Sequence, residues 1–130
     1  MGVLHWNDGL NVGISFMDAD HAVAAEQINA LAAAGPAARL PLLAEFIDHC
    51  RHHFAREEEL MGQVGFFALG CHRGEHQRVL AELRQVEAAL KGGDARDRYF
   101  TEELPGWLMI HRNTMDAVTA EFARTSGYSG

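Results

Sequence analysis

His72 and His76 stand four residues apart, and His53 and Glu57 repeat that spacing earlier in the chain. On a helix, residues four apart project from one face, one turn above the other. His111 and Asp116 form a third cluster toward the C-terminal end, and His21 stands alone near the N-terminal end. Five imidazoles and two carboxylates on four segments are enough to build a metal centre inside a helical bundle. Imidazole with carboxylate suits iron, zinc, manganese or nickel, and a ligand set without thiolate argues against an iron–sulfur cluster. No His-Glu-x-x-His occurs, and no glutamate is followed three residues later by histidine. The zinc-protease and carboxylate-rich ferritin-like patterns are therefore absent. If two irons share the site, both carboxylates bridge and an oxide or hydroxide joins them, one position of two octahedra stays free. A single vacancy on a redox-active pair suits a small molecule such as dioxygen.

The elements that must position these residues follow from apolar periodicity. Residues 1–17 mix glycine, asparagine and aromatics without helical period and read as an ordered arm that lays Trp6 and Phe16 against a bundle. Asp18 or Asp20 caps a first helix, whose inward stripe is His21, Ala24, Ala25, Ile28 and Leu31. Gly35-Pro36 is a stop followed by a start. The second helix runs to about Met61 with Leu42, Phe46, Cys50, His53, Glu57 and Leu60 on one face. His53 and Glu57 fall at the centre of that apolar stripe, where polar groups need partners.

A loop over 62–70 leads to a third helix presenting His72, His76, Val79, Leu83, Val86 and Leu90, closed by Lys91-Gly92-Gly93. A fourth helix covers Asp94 to Arg124 and presents Leu104, Trp107, Leu108, His111, Met115 and Val118. Pro105 cannot donate to the carbonyl of Thr101, so a kink or restart is expected there. His111 and Asp116 are five apart, about 140° on a regular helix. Either a π-bulge or a sideways reach of the carboxylate brings them together, and Val118 and Phe122 fit the unbulged register, which favours the reach. Residues 125–130 read as a frayed tail. The expected fold is all-α, an up-down-up-down four-helix bundle (18–124) with an N-terminal arm, in one domain over 1–130.

The bulk numbers agree. One hundred and thirty residues make one domain, and 48% hydrophobic content fits a single core. A net charge of -7 argues against nucleic acid as a partner. No run is long enough to span a membrane, and the start lacks a basic stretch followed by an apolar one, so a cytoplasmic location is expected. Two cysteines, Cys50 and Cys71, are expected as free thiols in packing roles.

The segments VGISFMDADH (12–21), HFAREEELM (53–61), the His72 and His76 pair, and WLMIHRNTMD (107–116) together resemble a bacterial hemerythrin over nearly the whole chain. The resemblance implies a four-helix bundle around two non-haem irons, bridged by oxide or hydroxide, that bind dioxygen reversibly. It implies that His72, His76 and His111 saturate one iron, that His21 and His53 bind the other and leave a position free, and that Glu57 and Asp116 bridge. It also implies an oxygen pocket lined by Leu108 beside Trp107. The chain departs from the family pattern at Phe66-Phe67, at Pro105 and at His49. His49 lies about 60° off the core stripe; it either faces solvent or is expected near the open iron or the pocket mouth, where an imidazole could donate a hydrogen bond to bound peroxide or, the favoured reading, admit water or deliver a proton. His5, His52, Glu58 and Glu59 are expected to face solvent.

An oxygen carrier or store is the reading these features favour. An oxygen or redox sensor would need a separate, unidentified partner to carry its output. A di-iron enzyme acting on peroxide or nitric oxide would need a substrate pocket with an acid–base pair, for which the sequence offers no candidate.

Overall fold

The computed structural model describes residues 2–128; Met1, Ser129 and Gly130, the extreme ends of the expected arm and tail, lie outside the described residues. Three helices, α1 (Ser15–Ala33), α2 (Pro36–Val64) and α3 (Leu69–Lys91), precede a fourth rod. That rod is a π turn (Tyr99–Glu103), α4 (Leu104–His111), a second π turn (Arg112–Asp116) and α5 (Ala117–Thr125). No strand occurs among the described residues.

Local chemistry explains the boundaries. Pro36 opens α2 at a position whose N–H has no helical acceptor, so its absence costs nothing. The helix continues through Pro41. Gly65 closes α2 with φ 65°, and Phe66 N–H then reaches back to the Met61 carbonyl at 2.9 Å. Gly93 ends α3 in the same way with φ 93°, and Asp94 N–H bonds the Ala89 carbonyl at 3.0 Å. Both positions need the left-handed conformation that only glycine adopts without penalty.

The first helix starts at Ser15, ahead of both expected caps. Asp18 folds its carboxylate back onto the arm instead, accepting from Val12 N–H at 2.6 Å and Gly13 N–H at 3.1 Å. The arm is tied to α1 again by Asn29, whose side chain accepts from Leu4 N–H at 2.8 Å and donates to the Leu4 carbonyl at 3.0 Å. Trp6 lies edge-on to His21 with ring centres 6.0 Å apart. Phe16 belongs to the first turn of α1 rather than to the arm. The tail holds its turn through Tyr128, whose N–H bonds the Ala123 carbonyl at 3.0 Å.

The core has two apolar layers. The larger joins Ile28, Leu43, Phe46, Leu83, Phe100 and Leu104 with their neighbours. The smaller joins Val12, Ile14, Met17, Leu60, Ala120 and Ala123. Along α1, His21 falls between Met17 of the smaller layer and Ala24 of the larger; along α2, Glu57 falls between Phe54 and Leu60. The polar candidates are therefore a middle layer closed off above and below. No helix among the described residues is long and apolar enough to cross a membrane.

Candidate metal centre

All seven expected ligands are buried and converge on this middle layer. Glu57, His72, His76, His111 and Asp116 each bring a ligand atom within 4.8 Å of the others, and His21, His53 and Glu57 form a second such group. Every one of the five imidazoles points its Nε2 inward. The carboxylates divide their oxygens between the groups. Glu57 Oε1 lies 3.2 Å from His76 Nε2 and 3.6 Å from His72 Nε2, while Oε2 lies 2.8 Å from His53 Nε2 and 3.8 Å from His21 Nε2. Asp116 Oδ1 lies 3.2 Å from both His72 and His111, and Oδ2 lies 2.9 Å from His21.

These contacts are close but are not good hydrogen bonds. Both Glu57 oxygens, Asp116 Oδ1, His76 Nε2 and both His21 nitrogens are buried with no hydrogen-bond partner. A buried polar atom left unpaired costs about 1–3 kcal/mol, so a cluster of them aimed at common points is poorly satisfied by protein alone. His72 Nε2 and His111 Nε2 even face each other at 3.2 Å. Lone pairs converging from nitrogen and oxygen are what a multivalent cation satisfies, so the donor set fits a pair of metal ions.

The electrostatics of the metal-free site are consistent with this. Burial alone would lower the His53 pKa, but the Glu57 charge and the Asp20 carboxylate outweigh it and push it up to about 10. His111 is raised too, with burial opposed chiefly by Asp116. Burial and the neighbouring Asp116 charge would raise Glu57, yet the His53 and His76 rings hold it below the usual carboxylate range. Asp116 is likewise held well below that range, its burial overcome by His111 first and then His21 and His72. Without a metal, the raised pKa values of His53 and His111 are the counterpart of the two buried carboxylate charges.

The π turn decides how Asp116 arrives. Ala117 N–H bonds the Arg112 carbonyl five residues back, which inserts one extra residue into the rod. The sideways reach expected from the sequence is thus replaced by a bulge. The whole stripe beyond it moves by one: Asp116, Thr119, Ala120 and Ala123 are buried, whereas Val118 is 45% exposed. Leu104 N–H bonds Tyr99 in the same five-back pattern just ahead of Pro105, so the irregularity expected at that proline is a π turn.

A cavity of about 20 Å³ adjoins the centre, lined by His21 and His53, by His49 and Cys50, and by Trp107 and Leu108 among others. It contains both members of the two-histidine group but only His111 of the three. His49 is half-buried, and its Nε2–H donates to the Asp20 carbonyl at 3.1 Å while its ring stacks parallel to His53 at 6.2 Å. Trp107 stacks on His111 at 4.7 Å, and Phe54 on His76 at 3.9 Å. His5 and His52 are exposed, as expected. Both cysteines are free, with Cys50 buried and Cys71 exposed.

Sequence reasoning missed the groups that hold the outer edges of the rings. Asp20, expected as a cap, accepts from His53 Nδ1 at 2.8 Å. Glu58, expected to face solvent, accepts from His76 Nδ1 at 3.0 Å. Thr119 accepts from His72 Nδ1 at 2.9 Å. The available signal was adjacency, since Asp20 precedes His21 and Glu58 follows Glu57; Thr119 had none, because its inward position depends on the bulge.

A family model described as the hemerythrin HHE cation binding domain matches residues 12–123. A bacteriohemerythrin of Ralstonia nicotianae is 37% identical over 128 residues, covering 98% of this chain and 93% of its own. Another, of Stenotrophomonas maltophilia, is 29% identical over 125 residues, 93% of this chain and 82% of its own. Two crystal structures of hemerythrin variants, with a leucine changed to tyrosine or to alanine, match with TM-scores of 0.86 and 0.85. Each is 22% identical and covers 95% of this chain and 98% of its own, a likeness of fold.

Proposed function

The chain belongs to the hemerythrin family, and from that premise we propose that it binds dioxygen reversibly at two non-haem irons and works as an oxygen carrier or store, not as an enzyme. His72, His76 and His111 would hold one ion and His21 and His53 the other, with Glu57, Asp116 and an oxide or hydroxide shared. The observation that carries this reading is the division of the carboxylate oxygens, one of each toward the three-histidine group and one toward the pair. If each iron takes six donors, the ion held by three imidazoles would be complete and the one held by two would keep one position free. Two irons held there would supply the two electrons and the free coordination position that dioxygen requires.

The protein's own residues supply selectivity. A cavity of about 20 Å³ on the side of the two-histidine group has room for a molecule the size of water or dioxygen and none for an organic substrate. Phe46, Phe54, Trp107 and Leu108 wall it with apolar surface that keeps bulk water out. Outside the proposed ligands its polar wall groups are His49 and Cys50. Burial, with the Glu57 charge, pushes the Cys50 thiol up, so it stays protonated, and the Nε2–H of His49 is committed to Asp20. Neither forms the acid–base pair that turnover of a substrate would use. Two free thiols fit a reducing, cytoplasmic setting.

Optical titration tests the reading. Iron-loaded, reduced protein exposed to dioxygen should gain a visible charge-transfer band that fades when oxygen is removed, through repeated cycles. Steady consumption of peroxide or nitric oxide without such a reversible band would replace the carrier by an enzyme.

A further inference from the structure

Two parallel contact chains run from the buried imidazoles to the surface, one from each histidine group. His53 Nδ1 donates to Asp20 Oδ2 at 2.8 Å, and Arg56 donates to the same oxygen at 3.2 Å. His76 Nδ1 donates to Glu58 Oε2 at 3.0 Å, and Arg73 Nε donates to Glu58 Oε1 at 3.2 Å. In each chain exposure rises outward: Asp20 and Glu58 are 15% and 25% exposed, Arg56 and Arg73 53% and 47%. Arg56 is further held over the Phe16 ring at 4.6 Å. The other three imidazoles lack this arrangement. His72 has a neutral hydroxyl, and the Nδ1 atoms of His21 and His111 have no partner.

A carboxylate that accepts the Nδ1–H of a ligand imidazole fixes its tautomer and ring orientation and makes the opposite nitrogen a stronger donor. An arginine on that same carboxylate draws part of the negative charge away. We propose that Asp20 and Glu58 are positioning residues, one for each metal, and that Arg56 and Arg73 set how much of the carboxylate charge the imidazoles of His53 and His76 receive. Each metal is thereby tuned from the surface through one imidazole. This rests on the di-iron reading above.

Isosteric neutral variants test it. Asp20→Asn and Glu58→Gln should weaken iron retention against a chelator by about 10–100-fold and raise the midpoint potential of the centre, because the oxidised ions lose donor strength. Arg56→Gln and Arg73→Gln should move the potential the opposite way. A purely structural role would shift both members of a pair in the same direction; that result, or no shift in either, overturns the proposal. A protein that fails to hold two irons counts instead against the di-iron reading, and the metal-free protein then tests the hydrogen bonds alone. There Asp20→Ala should speed solvent exchange of the His53 Nδ1 proton only, and Glu58→Ala that of His76 only, as read by NMR. Unchanged exchange in both variants also overturns the proposal.

Discussion

His111 Nε2 lies 3.2 Å from Asp116 Oδ1, although a regular helix would set residues five apart about 140° from each other. The π turn over Arg112–Asp116 closes that angle by winding one surplus residue into a single turn. Burial of Thr119, Ala120 and Ala123 then depends on the same surplus residue.

The bulge predicts an asymmetry between insertion and deletion. Removing Thr114, which is exposed, converts the turn to a regular one with Asp116 four residues after His111, so the buried stripe keeps its register. That variant should fold with stability within about 1 kcal/mol of the parent. Inserting one alanine after Thr114 rotates everything beyond it by about 100° and should cost both metal content and cooperativity. Iron analysis with thermal unfolding of the two variants checks the contrast.

Truncating His76 should damage fold and site together. The ring is 1% exposed and stacked on Phe54, so His76→Ala leaves a cavity and removes the N–H that Glu58 Oε2 accepts. A loss of about 2–4 kcal/mol is expected, with iron falling below two per chain. Full iron loading and unchanged unfolding would mean that α3 is assigned the wrong role.

The metal-free protein should lose stability as pH rises. The folded pKa of His53 is raised to about 10 from an ordinary 6.5, so its contribution is complete below 6.5 and disappears as pH climbs through 10. Glu57 is shifted the other way, so its contribution is present above its ordinary 4.5 and declines as pH falls below it. Urea midpoints of chelated protein should therefore peak between 4.5 and 6.5. Loading with metal displaces the imidazole protons, so apparent affinity should rise with pH across the range where stability falls.

His49→Leu should lengthen the time for which oxygen-loaded protein persists. The imidazole sits in the cavity wall beside both members of the two-histidine group, and leucine would replace that polar wall by apolar surface. Losing the bond to the Asp20 carbonyl should also cost about 1 kcal/mol of stability. Equal oxidation rates in parent and variant would leave His49 as a tie between α1 and α2 and nothing more.

Periodicity along single helices was sufficient to read the all-α fold, its helical segments and the burial of His21, His53, Glu57, His72, His76 and His111, but not the arrival of Asp116. Each of His21, His53, Glu57, His72 and His76 continues an apolar stripe, and a stripe records burial whatever lies opposite it. The outer partners were beyond that logic. Asp20 meets His53, and Glu58 meets His76, only because α1, α2 and α3 pack side by side, and a residue at the flank of its own stripe gives no sign of what faces it. The start of α1 was misplaced for a related reason, since Asp18 bonds an arm whose path no local pattern specifies. The π turn was settled by tertiary packing as well: both registers of the fourth rod offer apolar residues, Val118 and Phe122 in one, Ala120 and Ala123 in the other. Bringing the Asp116 carboxylate to the imidazoles of His21, His72 and His111 selected the second, since a buried charge without partners costs far more than leaving one valine in water.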